Sequence, residues 1–437
     1  MKTYYFLGIK GSGMSALALV MHKMGYHVIG SDVSKYVFTE DKLIENGIEI
    51  LEFDPDNLKE EYLVVKGNAF NNEHPEVSRA IEMNLEMYGY IEVLADLERR
   101  YTSVGITGTH GKTTTTSMVA HIFSLFKNAS YLIGDGTGEG RNNSEYFVYE
   151  ACEYRRHFLS YFPDYSIITN IDFDHPDCYK DLEDTIDAFI QFTKQTKKVV
   201  VACGDDKNVW ELPKENLITY GFDKVNDYQI IDYRLTQTGC EFIITTDGEI
   251  VSTFTAPIFG LHNILNLTSA IIVSILNGIS IDDIKSCLPS LPSNRRRFEE
   301  THIGGNLVID DYAHHQEEIK AVISMVRQKY PDSDIVAVME PYTFSRFNAF
   351  ANEFAESVRG VYKTYICPVD SSAREKRADD AFDSDVILSK IPNSEFLTLD
   401  TISNLNKYQN KIILFMGVAA GKYADAYKNQ FIKELAR

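Results

Sequence analysis

At 437 residues the chain exceeds what one hydrophobic core ordinarily organises, and 44% hydrophobic residues with 12 prolines predict two or three globular domains. Its 43 basic and 63 acidic side chains leave a formal charge of −20, which repels nucleic acid and anionic membrane, so any anionic ligand must be held by local chemistry. No apolar run approaches the roughly 18 residues of a membrane span, Lys10 interrupts what would have to be a signal peptide, and six scattered cysteines form no C-x-x-C pair; a cytoplasmic protein without zinc site or disulfide framework is expected.

Residues 4–8 form a short β-prone run that passes through a glycine turn into a helical pattern with apolar positions at Met14, Leu17, Ala18 and Met21. Gly8, Gly11 and Gly13 make G-x-x-G-x-G, close to but different from the dinucleotide fingerprint. A second strand, 27–30, ends at Ser31-Asp32, where an acid can accept from a ribose hydroxyl. By itself this half-fold suits a nicotinamide dehydrogenase.

The stretch GITGTHGKTTTT, 105–116, changes that reading. It follows a β-prone lead-in at 101–104 and enters a helical pattern at Met118, Val119, Ile122 and Leu125, so it reads as strand, phosphate loop, helix. Glycines bend the backbone so that several N–H groups face one anion, the helix N-terminus adds its positive dipole end, Lys112 supplies a cation and Thr113 a hydroxyl for Mg²⁺. Gly108, Thr109, His110, Gly111, Lys112, Thr113 and Thr114 are therefore the candidate ATP phosphate site, against the alternative of a glycine-rich turn without chemistry. Five residues, not the usual four, separate Gly105 from Gly111.

With that longer spacing, Gly-Thr-His-Gly-Lys-Thr resembles the phosphate loop of the Mur ligases, ATP-dependent amide-forming enzymes of peptidoglycan precursor synthesis. FLGIKGSGMSALA resembles the UDP-sugar loop of the family's alanine-adding branch, and GNAFNNEHPEV, 67–77, its later uracil-side segment. The resemblance implies an α/β chain of three domains: Rossmann-like at 1–97, P-loop ATPase-like at 98–293 and Rossmann-like at 294–437. It further implies that the backbone of Gly11, Ser12, Gly13, Met14 and Ser15 meets the UDP-sugar diphosphate, that Asp32 and Asn68 line the nucleoside end, and that His110 also serves the sugar side.

Beyond the phosphate loop, β-prone runs at 131–134, 146–150 and 165–170 end in polar residues, and ends of parallel strands are where α/β ligands sit. Glu150 closes one run and His175 follows another, so both can project over the same sheet edge. A carboxylate and an imidazole suit a Mg²⁺ that already has Thr113 and phosphate oxygens. A helix N-terminal charge for Glu150 and a loop histidine for His175 are the alternatives; the resemblance implies metal ligation by both. Counted from Asp174-His175, the slot that holds a carbamoylated lysine in several sister ligases is Phe189, as the alanine-adding branch would have it. Further on, His262, Asn263 and Asn266 sit at a helix start, with His262 and Asn266 on one face; Gly-x-His-Asn-x-x-Asn resembles the family's adenine-side motif, against a plain helix cap by Asn263.

In the last third, Arg295, Arg296 and Arg297 form the dense basic cluster of an acidic chain, read either as a solvated run or as a clamp on developing phosphate charge; Arg-Arg-Phe in the family matches Arg296, Arg297 and Phe298. A strand at 307–309 ends in DDYAHHQEE, and the resemblance implies Asp311 on the ATP ribose and Tyr312, His314 and His315 on the substrate side, although Gln316 stands where the family has proline. After the strand 335–339, EPYTFSRF keeps Arg346 as a candidate for the incoming amino acid's carboxylate, a task suited to a planar fork, while Tyr342 replaces the family's histidine. The function implied is transfer of the ATP γ-phosphoryl to the carboxylate of UDP-N-acetylmuramate, then attack by the amine of L-alanine, with Lys112, Glu150, His175 and Arg346 carrying the chemistry in a monomer or homodimer. A sister ligase using another amino acid or a peptide is the other reading.

Overall fold

Short runs of valine and isoleucine buried on both faces, alternating with helices, build parallel sheets. The computed structural model describes residues 2–175, 178–292, 296–341, 350–368, 388–391, 393–417 and 426–435. Three sheets organise them. The first contains β1 (Thr3–Leu7), β2 (His27–Asp32), β3 (Glu49–Glu52), β4 (Tyr62–Lys66) and β5 (Met87–Gly89) in the order β3-β2-β1-β4-β5, all parallel. Strand order reverses beside β1, so the glycine turn leaving β1 lies where such sheets bind ligands.

The second sheet contains β6 (Thr102–Thr107), β7 (Ala129–Leu132), β8 (Gly138–Glu139), β9 (Tyr146–Glu150), β10 (Tyr165–Ile168), β11 (Val199–Cys203), β12 (Leu217–Gly221), β13 (Tyr228–Thr236), β14 (Gly239–Thr246) and β15 (Glu249–Ala256). Its order is β15-β14-β13-β12-β11-β10-β6-β9-β7-β8. Parallel pairing of β6 with β9 sets Ile106 opposite Glu150, and pairing with β10 sets Thr107 opposite Ile168, so three strand ends line up at one edge. β6 runs past the expected 104 to Thr107 because the extended backbone breaks only at Gly108, whose φ is +132°.

Helix α1 (Ser12–Lys23) is buried from Met14 to Met21 without a polar stripe, as a helix covered on all sides must be. The strands of the first sheet cover one side. On the other lies the β7–β8 hairpin, where a Cβ at Gly138 would run into the carbonyl oxygen of Ala16 and one at Gly140 into that of Val20. One apolar cluster therefore continues from Phe6 and Val65 through α1 to Leu132 and Phe147. Gly140→Ala is expected to destabilise the chain by about 2 kcal/mol, the usual range for overpacking; an unchanged denaturation midpoint would contradict this packing.

The third sheet contains β16 (Glu299–Ile303), β17 (Asn306–Asp311), β18 (Ile335–Glu340), β19 (Lys363–Ile366), β20 (Ser394–Phe396) and β21 (Ile412–Gly417), in the order β16-β17-β21-β18-β19-β20, with β16 antiparallel. Strand alternation sends Ile309, Ala337 and Leu414 to one core and Val308, Val336 and Ile413 to the other.

Each of the spans 1–97, 98–293 and 294–437 holds one sheet, but the chain divides into two compact units. Met1–Arg234, Cys240–Pro257 and Leu261–Pro292 form one, carrying the first two sheets; Leu235–Gly239, Ile258–Gly260 and Ser293–Arg437 form the other. Among the described residues no helix is long and apolar enough to cross a membrane.

Candidate active site

The phosphate loop connects β6 to α2 (Lys112–Phe126). Gly108 and Gly111, at φ of +132° and +83°, take left-handed backbone conformations that favour glycine, and a side chain at Gly108 would collide with the Thr169 hydroxyl. The segment after β10 holds the loop from behind. Thr109 donates its N–H to the Asn170 carbonyl (3.1 Å) and accepts from the Asp172 N–H at its hydroxyl (2.8 Å). His110 donates its N–H to Asn170 Oδ1 (2.9 Å), and its carbonyl accepts from the Thr169 hydroxyl (2.6 Å) and Asn170 Nδ2 (3.0 Å). The loop is thus shaped by neighbouring strands.

Lys112 Nζ donates to the carbonyls of Gly108 (2.6 Å) and Thr109 (3.0 Å) and to Glu153 Oε1 (3.0 Å). Burial disfavours its charge, but Glu153, Cys152 and Glu150 beside it outweigh that and hold its pKa above the ordinary lysine value. The Thr113 hydroxyl donates to Glu150 Oε2 (2.9 Å), which also accepts from the Gly134 N–H (3.1 Å). Burial pushes the Glu150 carboxyl up, with Lys112 and Thr113 opposing. Thr114 follows, half-buried, in the first turn of α2.

Two left-handed glycines, a loop-bonded ammonium and a hydroxyl at the helix start fit the tail of a nucleoside triphosphate. One hydroxyl bonded to one carboxylate fits Mg²⁺, which leaves most of its octahedron to water and phosphate. Among the described residues no three His, Cys, Asp or Glu side chains converge on a metal position. His175, at φ +65°, turns its Nε2 toward Glu153 Oε1 (3.6 Å) and Asp174 Oδ2 (3.7 Å), beside the Tyr154 ring.

Helix α4 (Leu261–Leu276) begins against this loop. A Cβ at Gly111 would lie 2.9 Å from Asn266 Oδ1, so Asn266 stands at the phosphate end, its Nδ2 donating to Asn263 Oδ1 (3.1 Å); His262 and Asn263 are half-buried. Phe189, the lysine slot, is a fully buried core residue of α3 (Leu182–Gln195), edge-on to Phe158 at 5.1 Å.

At the first sheet, Gly11 and Ser12 open to solvent where α1 begins, Gly13 is half-buried against the Tyr90 ring, and Met14 and Ser15 are buried. Both Asp32 oxygens accept backbone N–H groups, from Lys10 and from Val33 (each 2.7 Å), so Asp32 shapes the glycine turn; Asn68 is exposed just past β4. A Cβ at Gly136, in the β7–β8 turn, would lie 2.9 Å from Thr39 Cγ2 and 3.3 Å from Ser15 Oγ. The turn therefore touches the glycine-loop helix at Gly136 and Glu150 at Gly134.

In the other unit, Arg296 is buried with its guanidinium on Asp310 (Nε to Oδ2, 3.2 Å) and on the Gly417 carbonyl (2.8 Å). Arg297 lies over the Tyr312 ring at 5.2 Å. Asp311 accepts from the N–H groups of Phe298 and Ala313 (each 2.8 Å); burial pushes its carboxyl up, Arg297 opposing. His315 precedes α5 (Gln316–Lys329), where Glu318 accepts from the His314 and His315 N–H groups, and His314 Nδ1 lies 3.1 Å from the Tyr312 carbonyl. Arg295, Tyr342 and Arg346 lie outside the described residues.

Glu153 belongs at this site and was not among the residues expected there. Burial works against its ionisation, but Lys112 and His175 more than offset that, so its pKa falls below the ordinary glutamate value. The second acid of YEACE was the available signal.

Residues 106–274 match the Mur ligase middle domain, 3–102 the Mur ligase family catalytic domain and 296–417 the Mur ligase glutamate ligase domain. The chain is 45% identical over 431 residues to the UDP-N-acetylmuramate–L-alanine ligase of Lactobacillus johnsonii, covering 98% of each. Among solved structures it is similar to the UDP-N-acetylmuramate-alanine ligase of Thermotoga maritima, with a TM-score of 0.82 at 25% identity over 99% of this chain and 98% of that one. It also shares the fold of a murein peptide ligase from Psychrobacter arcticus, with a TM-score of 0.74 at 21% identity over 100% and 99% of the two chains.

Proposed function

Since the chain belongs to the Mur ligase family, we propose that it is the ATP-dependent ligase that joins L-alanine to the carboxylate of UDP-N-acetylmuramate in peptidoglycan precursor synthesis. Full-length identity of 45% to ligases of that name supports the reaction. The single observation that carries the chemistry is the cluster of Lys112, Thr113 and Glu150 at one strand edge.

A carboxylate does not acylate an amine in neutral water, because its oxygen is a poor leaving group. In the reaction a carboxylate oxygen of the sugar attacks the γ-phosphorus; the O–P bond forms, the bridging P–O bond breaks and ADP departs. The alanine nitrogen then attacks the acyl carbon, the C–N bond forms through a tetrahedral intermediate, phosphate leaves with its C–O bond electrons, and the nitrogen gives up a proton. Lys112 neutralises charge on the phosphates, the loop N–H groups orient them, and Glu150 and Thr113 fix the phosphate edge. Mg²⁺, held by Thr113 and Glu150 with His175 as a further candidate, supplies charge neutralisation when bound. The turn leaving β1 is assigned to the sugar diphosphate through Gly11, Ser12, Gly13, Met14 and Ser15. His262, Asn263 and Asn266 are assigned to the nucleotide of ATP, and Arg297, Asp311, Tyr312, His314, His315 and Arg346 to the third-sheet side of the reaction. The division into domains at 97 and 293 belongs to the same reading.

Phosphate release with Mg-ATP and UDP-N-acetylmuramate tests it, offering glycine, L-serine, L-alanine and a tripeptide in turn. Alanine is expected to give the highest kcat/KM. No release with alanine would refute the reaction, and preference for the tripeptide would move the chain to a peptide-adding role.

A further inference from the structure

Beside the phosphate loop stands a buried carboxylate that the chemistry above does not use. Glu153 is 2% exposed and stands between two groups assigned to the reaction: Lys112 Nζ lies 3.0 Å from its Oε1 and 2.9 Å from its Oε2, and His175 Nε2 lies 3.6 Å from Oε1. Its backbone is held on both sides. The Tyr179 hydroxyl donates to the Glu153 carbonyl (2.5 Å), and Arg155 and Arg156, two and three residues on, adopt φ of 51° and 58°, a left-handed pair that residues with a Cβ rarely form. Arg156 is held there by Asp184 Oδ1 (2.6 Å) and by the Tyr179 ring (5.3 Å from its centroid), so the surrounding structure over-determines the bend. The same bend sets the Tyr154 ring 4.9 Å from that of His175.

A carboxylate beside an imidazole nitrogen fixes the ring's tautomer and orientation, and one bonded to an ammonium fixes where that cation points. Sequence position would make Glu153 a second metal acid beside Glu150, yet its contacts are with cationic and imidazole groups. Resting on the ligase reading above, we propose that Glu153 is a positioning residue, which aims Lys112 and His175 at the phosphoryl group in transit and competes with the phosphates for Lys112 in the ground state.

This predicts a split between binding and turnover. Glu153→Gln keeps the shape and removes the competing charge, while Lys112 retains its bonds to the Gly108 and Thr109 carbonyls. Its kcat is expected to fall about 100-fold, the scale of losing one preorganised electrostatic element. Its affinity for ADP, measured by calorimetry, is expected to stay the same or tighten. Glu153→Asp, which restores the charge on a shorter arm, is expected to recover about tenfold of the lost kcat. A Glu153→Gln kcat close to wild type, or an ADP affinity that weakens in step with kcat, would overturn the proposal. Should Glu153→Gln fail to fold, Glu153→Asp decides by itself: a reduced kcat at unchanged ADP affinity supports the proposal, and parallel losses refute it. A wild-type chain without alanine-dependent phosphate release would instead refute the ligase reading.

Discussion

Lys112→Ala is expected to lower kcat by about 1000-fold or more, because charge stabilisation by preorganised cations dominates phosphoryl transfer. It is also expected to destabilise the fold, for a reason unrelated to catalysis. The Lys112 and Glu153 side chains are 14% and 3% exposed, and removing one partner of a buried ion pair strands the other, at a cost of about 3–5 kcal/mol. The double variant Lys112→Ala, Glu153→Gln separates the two effects. It should regain most of the lost stability, since no uncompensated carboxylate remains, and none of the turnover. Denaturant unfolding reads the first effect and phosphate release the second. Turnover retained by Lys112→Ala would remove the phosphate loop from the mechanism.

Glu150→Gln should give the second large effect. Glu150 takes the Thr113 hydroxyl and the Gly134 N–H on a single oxygen, so the amide can keep much of this geometry while losing its charge. A neutral side chain that preserves shape but not ligation should raise the Mg²⁺ concentration for half-maximal rate by at least about tenfold, the lower range for groups that tune a metal site. Folding stability should change little, because burial already opposes the charged form. An unaltered Mg²⁺ titration would exclude Glu150 from the metal site and leave it as a support for Thr113.

Much of this site was legible because strand ends leave a mark in sequence. The run 146–150 is a strand with those same limits, and its terminal acid faces the phosphate loop as alternation and parallel pairing require. The second acid of YEACE is visible in the sequence, but not the groups it meets, since two left-handed arginines follow it in a bend with no periodic signature. The amide of Asn266 abuts Gly111; a helical face can be derived from spacing, but not which loop it will meet. The guanidinium of Arg296 lies on Asp310 and the Gly417 carbonyl, partners 14 and 121 residues away that no local pattern announces. The packing of the first two sheets into one unit leaves no such pattern either. Glycines at 138 and 140 make that contact, and they carry no hydrophobic signal.

Those hairpin glycines bear on how the molecule can be recombined. A chimera cut at residue 97, the obvious breakpoint, would transplant α1 without the backbone surface moulded to it, and a donor helix of slightly different girth would ride up on β8. Exchange of the first-sheet module between relatives should therefore succeed when residues 134–140 travel with it, and fail to express when they stay behind.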